Sequence, residues 1–283
     1  MKYKKEVKAL LSEENFSGLL ELAGRHGGKT GNILISLVTD LDPVTRWRAI
    51  KGLGLVTAQL YQGDPEQARR VLRQLIWNLN DESGGIGWGM PEAFGEILAR
   101  QKDLAREYSC ILAGYLVNSK NCLDQDILQQ GLVWALGRVK EFKPAERELI
   151  IRALLALLKQ ARGELMAMTV WTLGELGAGE ALPLLDDLPR AEQMLNLMAD
   201  DEVKTLTFNE VLDQTKRKLK DFIEKEVAQV NDWKCSKCGY TLKADMPPEI
   251  CPQCKEKCEF VNITCYIPEC GFSGSDDRLK GES

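Results

Sequence analysis

Four segments of the sequence repeat one pattern, in which a tryptophan precedes a glycine by one or two helical turns. The final glycines of these segments are 41, 42 and 37 residues apart. The segments are Trp47–Gly54, Trp88–Gly95, Trp134–Gly137 and Trp171–Gly174. A period near forty predicts paired helices in an array whose inner helices contact a neighbour on both sides. Because a glycine inside a helix costs about 1 kcal/mol, close packing has to offset that cost.

The first segment lies in an Asp-Pro-Val-x-Arg-Trp-x-Ala motif at residues 42–49. With the period, this motif resembles HEAT repeats over residues 14–190. The resemblance implies an all-α solenoid that offers an extended surface to a protein partner. We therefore expect a mainly α fold, with Trp47, Trp134 and Trp171 buried between neighbouring helices. Trp88 lies in a glycine-rich stretch at 83–89, which we interpret as a tight inter-helix turn.

The pattern changes after Pro189. Residues 194–198 and 203–208 alternate between apolar and polar side chains around an Ala-Asp-Asp-Glu turn, which predicts a β-hairpin. A helix is expected near residues 210–230. We therefore divide the chain into a HEAT-like helical domain at 1–190, a hairpin with a connecting helix at 191–231, and a metal-binding domain with a cysteine-containing tail at 232–283.

Cysteines in the last domain follow the spacing Cys-x2-Cys-x12-Cys-x2-Cys. They are Cys235, Cys238, Cys251 and Cys254. Two residues between thiolates let one tight turn direct both sulfurs to a common point, and two such turns build a tetrahedral cage. Soft sulfur ligands in this geometry select zinc or iron over calcium or magnesium. The spacing therefore predicts one bound metal, and Gly239 suits a turn that needs a positive φ.

The surrounding residues, Trp-x-Cys-x-x-Cys-Gly-Tyr and then Pro-Glu-x-Cys-Pro-x-Cys, resemble the rubredoxin-like domain of rubrerythrins over residues 232–262. This resemblance implies one iron held by the four cysteines, without inorganic sulfide, that passes single electrons. It also implies aromatic packing around the site by Trp233, Tyr240 and Phe260. Spacing alone does not separate iron from zinc, and a structural zinc ribbon stays the alternative.

Five other cysteines have no complete ligand set in their local sequence. For Cys265 and Cys270 we predict proximity and pairing on oxidation, because Pro268 favours a turn between them. Cys258 is expected to stay free. Cys110 and Cys122 are interpreted as small apolar core residues.

Composition narrows the function further. The chain has 283 residues, a net charge of −5 and one histidine, His26. An acidic chain gives no support to nucleic-acid binding, and a single histidine removes most hydrolase and triad mechanisms. No apolar run is long enough for a membrane span. The cysteines, without a signal peptide, predict a reduced, cytoplasmic protein.

These observations favour a non-catalytic electron-transfer or redox adaptor, with iron in the cysteine cage and a redox protein docked on the repeats. The second hypothesis is a protein-interaction scaffold with a structural zinc ribbon. The third is a lyase or DNA glycosylase, by analogy with HEAT-like-repeat enzymes. This third hypothesis lacks an acid–base constellation in the sequence.

Overall fold

The protein was analysed as a computed structural model that describes residues 2–80, 87–118, 122–123, 125–199, 201–228, 231–244 and 246–263. The chain divides into two compact units, Met1–Leu219 and Lys220–Ser283. The described part is mainly helical. Its helices are α1 (Lys2–Ser12), α2 (Phe16–His26), α3 (Gly28–Ile35), α4 (Pro43–Gly63), α5 (Pro65–Leu79), α6 (Met90–Arg100), α7 (Lys102–Val117), α8 (Asp126–Arg138), α9 (Pro144–Leu158), α10 (Gly163–Glu175), α11 (Leu182–Asp186) and α12 (Phe208–Ala228).

Helix starts in the first unit follow local sequence rules. Pro43 and Pro65 open α4 and α5, where a missing backbone N–H leaves no hydrogen bond unmade. The side chain of Asp42 accepts a hydrogen bond from the Thr45 backbone N–H, and Asp64 caps α5 in the same way.

Helices α4, α6, α8 and α10 pack against one another in that order, and each carries one of the repeated glycines. The tryptophans of α4, α8 and α10 lie between them. Trp47, Trp134 and Trp171 are 4%, 0% and 9% exposed, so their predicted burial is confirmed. The Trp134 ring centroid lies 4.8 Å from that of Trp47 and 6.2 Å from that of Trp171. The HEAT-like character of this array stays a prediction.

Gly95 shows why the repeat needs glycine. A Cβ at this position of α6 would lie 2.4 Å from the Cβ and 2.8 Å from the backbone oxygen of Ala135 on α8. Backbone atoms of a helix cannot move singly as a flexible side chain can, so the two helices would have to separate.

We expect Gly95→Ala to lower the free energy of unfolding of the helical unit by about 3 kcal/mol, the upper range for overpacking a core. Gly114→Ala is the matched control, because a Cβ at this position of α7 meets nothing within 4 Å. The control should be neutral or gain up to about 1 kcal/mol from helix propensity. Urea unfolding followed by circular dichroism measures both, and equal stability of the two variants would contradict the close approach of α6 and α8.

The predicted hairpin is confirmed as β1 (Met194–Ala199) and β2 (Glu202–Thr207), paired antiparallel with Met198 opposite Val203. It belongs to the first unit and packs on the inner helices. The Trp134 indole Nε1 donates a hydrogen bond of 2.9 Å to the Met198 carbonyl. The Lys51 ammonium donates to the backbone carbonyl of Asp201 in the hairpin turn.

An ion network centred on one buried carboxylate contacts the hairpin turn. Glu96 on α6 is 0% exposed, and its two carboxylate oxygens accept from Arg100 at 2.7 Å and from Arg138 at 2.9 Å. Both guanidinium groups also contact one carboxylate oxygen of Asp201, at 2.6 and 3.0 Å. The network therefore joins α6, α8 and the hairpin through two carboxylates and two guanidinium groups.

The core assignment of Cys110 and Cys122 was wrong, since both are exposed. On α7 the buried stripe runs through Ala105, Ser109 and Leu112, so Cys110 falls beside it. Of the glycine-rich stretch, residues 83–86 lie outside the described residues. Gly89 has φ +73° at the start of α6, as a tight turn requires. None of the described helices combines the length and apolar character needed to cross a bilayer.

The second unit contains a three-stranded antiparallel sheet in the order β4-β3-β5. The strands are β3 (Asn231–Cys235), β4 (Thr241–Ala244) and β5 (Phe260–Asn262). In this sheet Trp233 lies opposite Leu242 and Asn262. The central strand ends at Cys235, so the sheet leads directly into the first cysteine turn.

Candidate metal centre

Each Cys-x-x-Cys pair forms a turn with the same backbone hydrogen bonds. In the first turn the Gly239 N–H donates to the Cys235 carbonyl at 3.0 Å, and the Cys235 N–H donates to the Tyr240 carbonyl at 2.8 Å. In the second turn the Lys255 N–H donates to the Cys251 carbonyl at 2.8 Å. The Cys251 N–H donates to the Glu256 backbone carbonyl at 3.0 Å. The two halves of the site are therefore built alike.

The fourth residue after the leading cysteine adopts a positive φ in both turns. Gly239 has φ +77°, which confirms the expectation from the sequence. The equivalent residue of the second turn is Lys255, with φ +57°. A side chain in this left-handed region is uncommon and costs conformational energy. The shared hydrogen-bond pattern accounts for the left-handed conformation at this position.

The turns bring the four predicted ligand sulfurs together. The sulfurs of Cys235, Cys238, Cys251 and Cys254 all lie within 4.8 Å of one another. Cys238 Sγ and Cys251 Sγ, from opposite turns, are 3.6 Å apart. Metal–sulfur bonds of about 2.3 Å place the sulfurs of a tetrahedral cage about 3.8 Å apart. The donor set and its dimensions therefore fit one thiophilic ion, iron or zinc.

Hydrogen bonds from backbone N–H groups lower the pKa of two of these thiols. The Cys238 backbone N–H points to the Cys235 sulfur and lowers the pKa of that thiol to about 6. The Glu256 backbone N–H lowers the pKa of Cys254 in the same way. The Tyr240 N–H acts similarly on Cys238, but burial and the neighbouring sulfurs outweigh it and raise the pKa of this thiol to about 11. Four ionised thiols at this spacing need a cation to balance their charge.

Burial in this unit is concentrated at the cysteines. Within residues 231–244 and 246–263, only Cys235 and Cys251 are buried. The aromatic residues expected to surround the site, Trp233, Tyr240 and Phe260, are each partly buried. The Trp233 Nε1 donates to the Ala244 carbonyl at 2.8 Å and so ties β3 to β4. This small apolar content leaves a bound metal as the main source of stability.

Cys258 also lies beside the cluster. Its sulfur is 3.5 Å from that of Cys254 and 3.3 Å from the Glu256 carbonyl oxygen. Sequence reasoning expected this residue to be free and did not place it at the site. The signal available was its spacing, four residues beyond Cys254. Cys265 and Cys270 lie outside the described residues, so their pairing stays a prediction.

Comparison with protein families agrees with this geometry. The family model of the rubrerythrin, rubredoxin-like domain matches residues 233–260. The match includes all four cysteines of the cluster and Trp233. The chain thus carries a rubredoxin-like metal-binding domain with a four-cysteine site, which makes up about a tenth of its length. A search of curated proteins found no match.

Proposed function

We propose that this chain is a non-catalytic redox adaptor, with one iron in the cysteine cage and a protein partner docked on the HEAT-like helical unit. The observation that carries the proposal is the convergence of four cysteine sulfurs within 4.8 Å in a domain that matches the rubredoxin-like family model. An iron held by four thiolates supplies a one-electron ferric–ferrous couple when bound.

The exposure of the sulfurs supports an electron-transfer role. Cys235 and Cys251 are buried, whereas Cys238 is exposed and Cys254 is partly exposed. One side of the cage is therefore formed by a residue at the surface, Cys238, and a redox partner can approach the cage there. Lys237 and Glu256 form an ion pair that links the two turns beside this opening.

The docking part of the proposal is supported by the surface of the helical unit. Trp77 on α5 is 74% exposed, and Leu149 on α9 is 52% exposed. Tryptophan is one of the residues enriched in the central contacts of protein interfaces, and the leucine adds exposed apolar area. Two paired-helix layers thus present side chains suited to a protein partner.

Metal analysis of the purified chain tests the proposal. We expect one iron per chain and a red colour that dithionite bleaches, because ferric tetrathiolates absorb visible light through sulfur-to-iron charge transfer and lose this absorption on reduction. Reoxidation in air should restore the colour. A colourless protein with one zinc per chain, in material expressed with both metals supplied, would contradict the electron-transfer role.

The second candidate is a scaffold with a structural zinc ribbon. The scarcity of buried residues in the second unit favours it, because a closed tetrathiolate site can stabilise such a unit without redox chemistry. In that case the metal would hold a binding surface, and reductant would leave the spectrum unchanged.

A further inference from the structure

A cleft in the helical unit has no role in the metal-site proposal. It has a volume of about 100 Å³ and lies at the N-terminal ends of α4, α6, α8 and α10, beside β1. Three tryptophans, Trp47, Trp88 and Trp134, form much of its wall. The cleft is smaller than the cavity of about 150 Å³ that accommodates benzene. Because it opens to solvent, a ligand of about that size would extend beyond it.

Three polar atoms of the cleft residues have no hydrogen-bond partner among the described residues. They are the indole Nε1 atoms of Trp47 and Trp88 and the Oε2 atom of Glu92, all shielded from solvent. Trp134 provides the contrast, because its indole donates to the Met198 carbonyl. A buried polar atom without a partner is costly, and several in one place indicate a missing partner.

The neighbours of Glu92 do not supply that partner. Burial raises the pKa of Glu92 to about 7, although its own backbone N–H and Arg46 oppose the rise. Arg46 lines the cleft but forms no ion pair with this carboxylate, and Glu164 from α10 adds a second acidic group. Gly131 on α8 allows the carboxylate to lie against the helix, because a Cβ there would be 2.3 Å from Oε2.

The chemistry of the unpartnered atoms defines a complement. Indole N–H groups only donate hydrogen bonds, and an ionised carboxylate only accepts them. A ligand that satisfies all three atoms needs two acceptors and one donor. The tryptophan rings favour a flat ligand, since aromatic faces stack on planar groups.

We propose that this cleft binds a small planar ligand with two hydrogen-bond acceptors and one donor, as in a cyclic imide. Its two acceptors receive hydrogen bonds from Trp47 and Trp88, and its N–H donates to Glu92. The helical unit is then a small-molecule binding module as well as a docking surface. The site lies wholly within residues 46–196 and does not depend on the metal centre.

Succinimide is the probe for the full-length protein, at pH 8, where Glu92 is mostly ionised. Indole N–H signals in ¹H–¹⁵N spectra, assigned by Trp47→Phe and Trp88→Phe, report directly on the two donors. We expect saturable shifts of both signals with a dissociation constant of about 1 mM, an affinity within the range that a seven-atom ligand can reach. 2-Pyrrolidinone, which lacks one acceptor, and N-methylsuccinimide, which lacks the donor, should each bind about tenfold more weakly.

Protein variants locate the site. Glu92→Met removes the acceptor at similar size and should weaken succinimide binding about tenfold, without changing the affinity for N-methylsuccinimide. Gly131→Ala should displace the carboxylate and weaken binding to a similar extent. Gly114→Ala and Glu148→Ala are the matched controls, since Gly114 has an open environment and Glu148 forms only a surface ion pair outside the cleft. Both controls should bind as the unaltered chain does.

Two outcomes would overturn the proposal. The first is that succinimide causes no saturable shifts of the Trp47 and Trp88 signals, while water contacts to these N–H groups stay unchanged. The cleft would then bind only water. The second is a shift that Glu92→Met and Gly131→Ala leave unaltered while both variants keep the melting temperature of the controls. Weaker succinimide binding in both variants, with the affinity of the unaltered chain kept in Gly114→Ala and Glu148→Ala, supports the proposal.

Discussion

Replacing Cys251 with serine will remove the metal and unfold the second unit, while the helical unit stays folded. Cys251 is fully buried between the two cysteine turns, and its sulfur lies 3.6 Å from that of Cys238. Three thiolates and a hydroxyl hold a thiophilic ion far less tightly than four thiolates. We expect the metal content to fall from one ion per chain to less than about a tenth.

The helical unit should be insensitive to this change because its apolar core is separate. The core cluster extends from Val7 to Leu219 and includes no residue of the cysteine turns. Circular dichroism at 222 nm should therefore show an unaltered thermal transition for the helices. Limited proteolysis should show rapid cleavage among the lysines of the second unit, where Lys234, Lys237 and Lys255 are exposed.

Cys258→Ser is the control for the same experiment. Its sulfur lies beside Cys254 but outside the group of four that are mutually within 4.8 Å. The variant should keep one metal per chain and resist proteolysis as the unaltered chain does. Full metal content in Cys251→Ser, or its loss in Cys258→Ser alone, would show that a different set of sulfurs holds the ion.

Replacing Glu96 with alanine will strongly destabilise the helical unit. The carboxylate is 0% exposed and accepts hydrogen bonds from Arg100 and Arg138. Removing it leaves two guanidinium groups, which are only 19% and 18% exposed, with only Asp201 to share, and it opens a cavity beneath the hairpin turn. Loss of one partner from a buried ion network costs about 3–5 kcal/mol. We expect a loss in this range in urea unfolding followed by circular dichroism.

Glu148→Ala provides a matched control on the surface. Glu148 pairs with Arg152 one turn later on α9, and both side chains are mostly exposed. Solvent screening limits such a pair to about 0.5 kcal/mol. If Glu96→Ala cost no more than Glu148→Ala, the network would not hold the hairpin on the inner helices.

The cysteine site was largely predictable because its determinants are local. Two residues between cysteines allow one turn to direct both sulfurs inward, and Gly239 permits the positive φ that the turn needs. The prediction of a four-cysteine site required only one further condition, that two such turns face each other. Cys258 was missed because its approach to Cys254 depends on the path of the chain after Lys255, which spacing does not specify.

The helical unit was predictable where periodicity carries the information. Proline and aspartate mark the starts of α4 and α5, and the alternation at 194–208 predicts the hairpin. The repeated glycines point to close helix packing, which Gly95 shows against Ala135. The side of α7 that faces inward was harder to assign, and the placement of Cys110 was therefore wrong.

The sequence by itself determined the elements of this protein, because helix caps, turns and cysteine spacing act between residues a few positions apart. Only the tertiary structure decided which polar groups meet in the interior. Glu96 and Asp201 are about a hundred residues apart in the sequence, yet they form ion pairs with the same arginines. Glu92 lies against Gly131 of another helix. Such partners depend on the distance and rotation between packed helices. Those quantities follow from the fit of many side chains at once, so no local pattern encodes them.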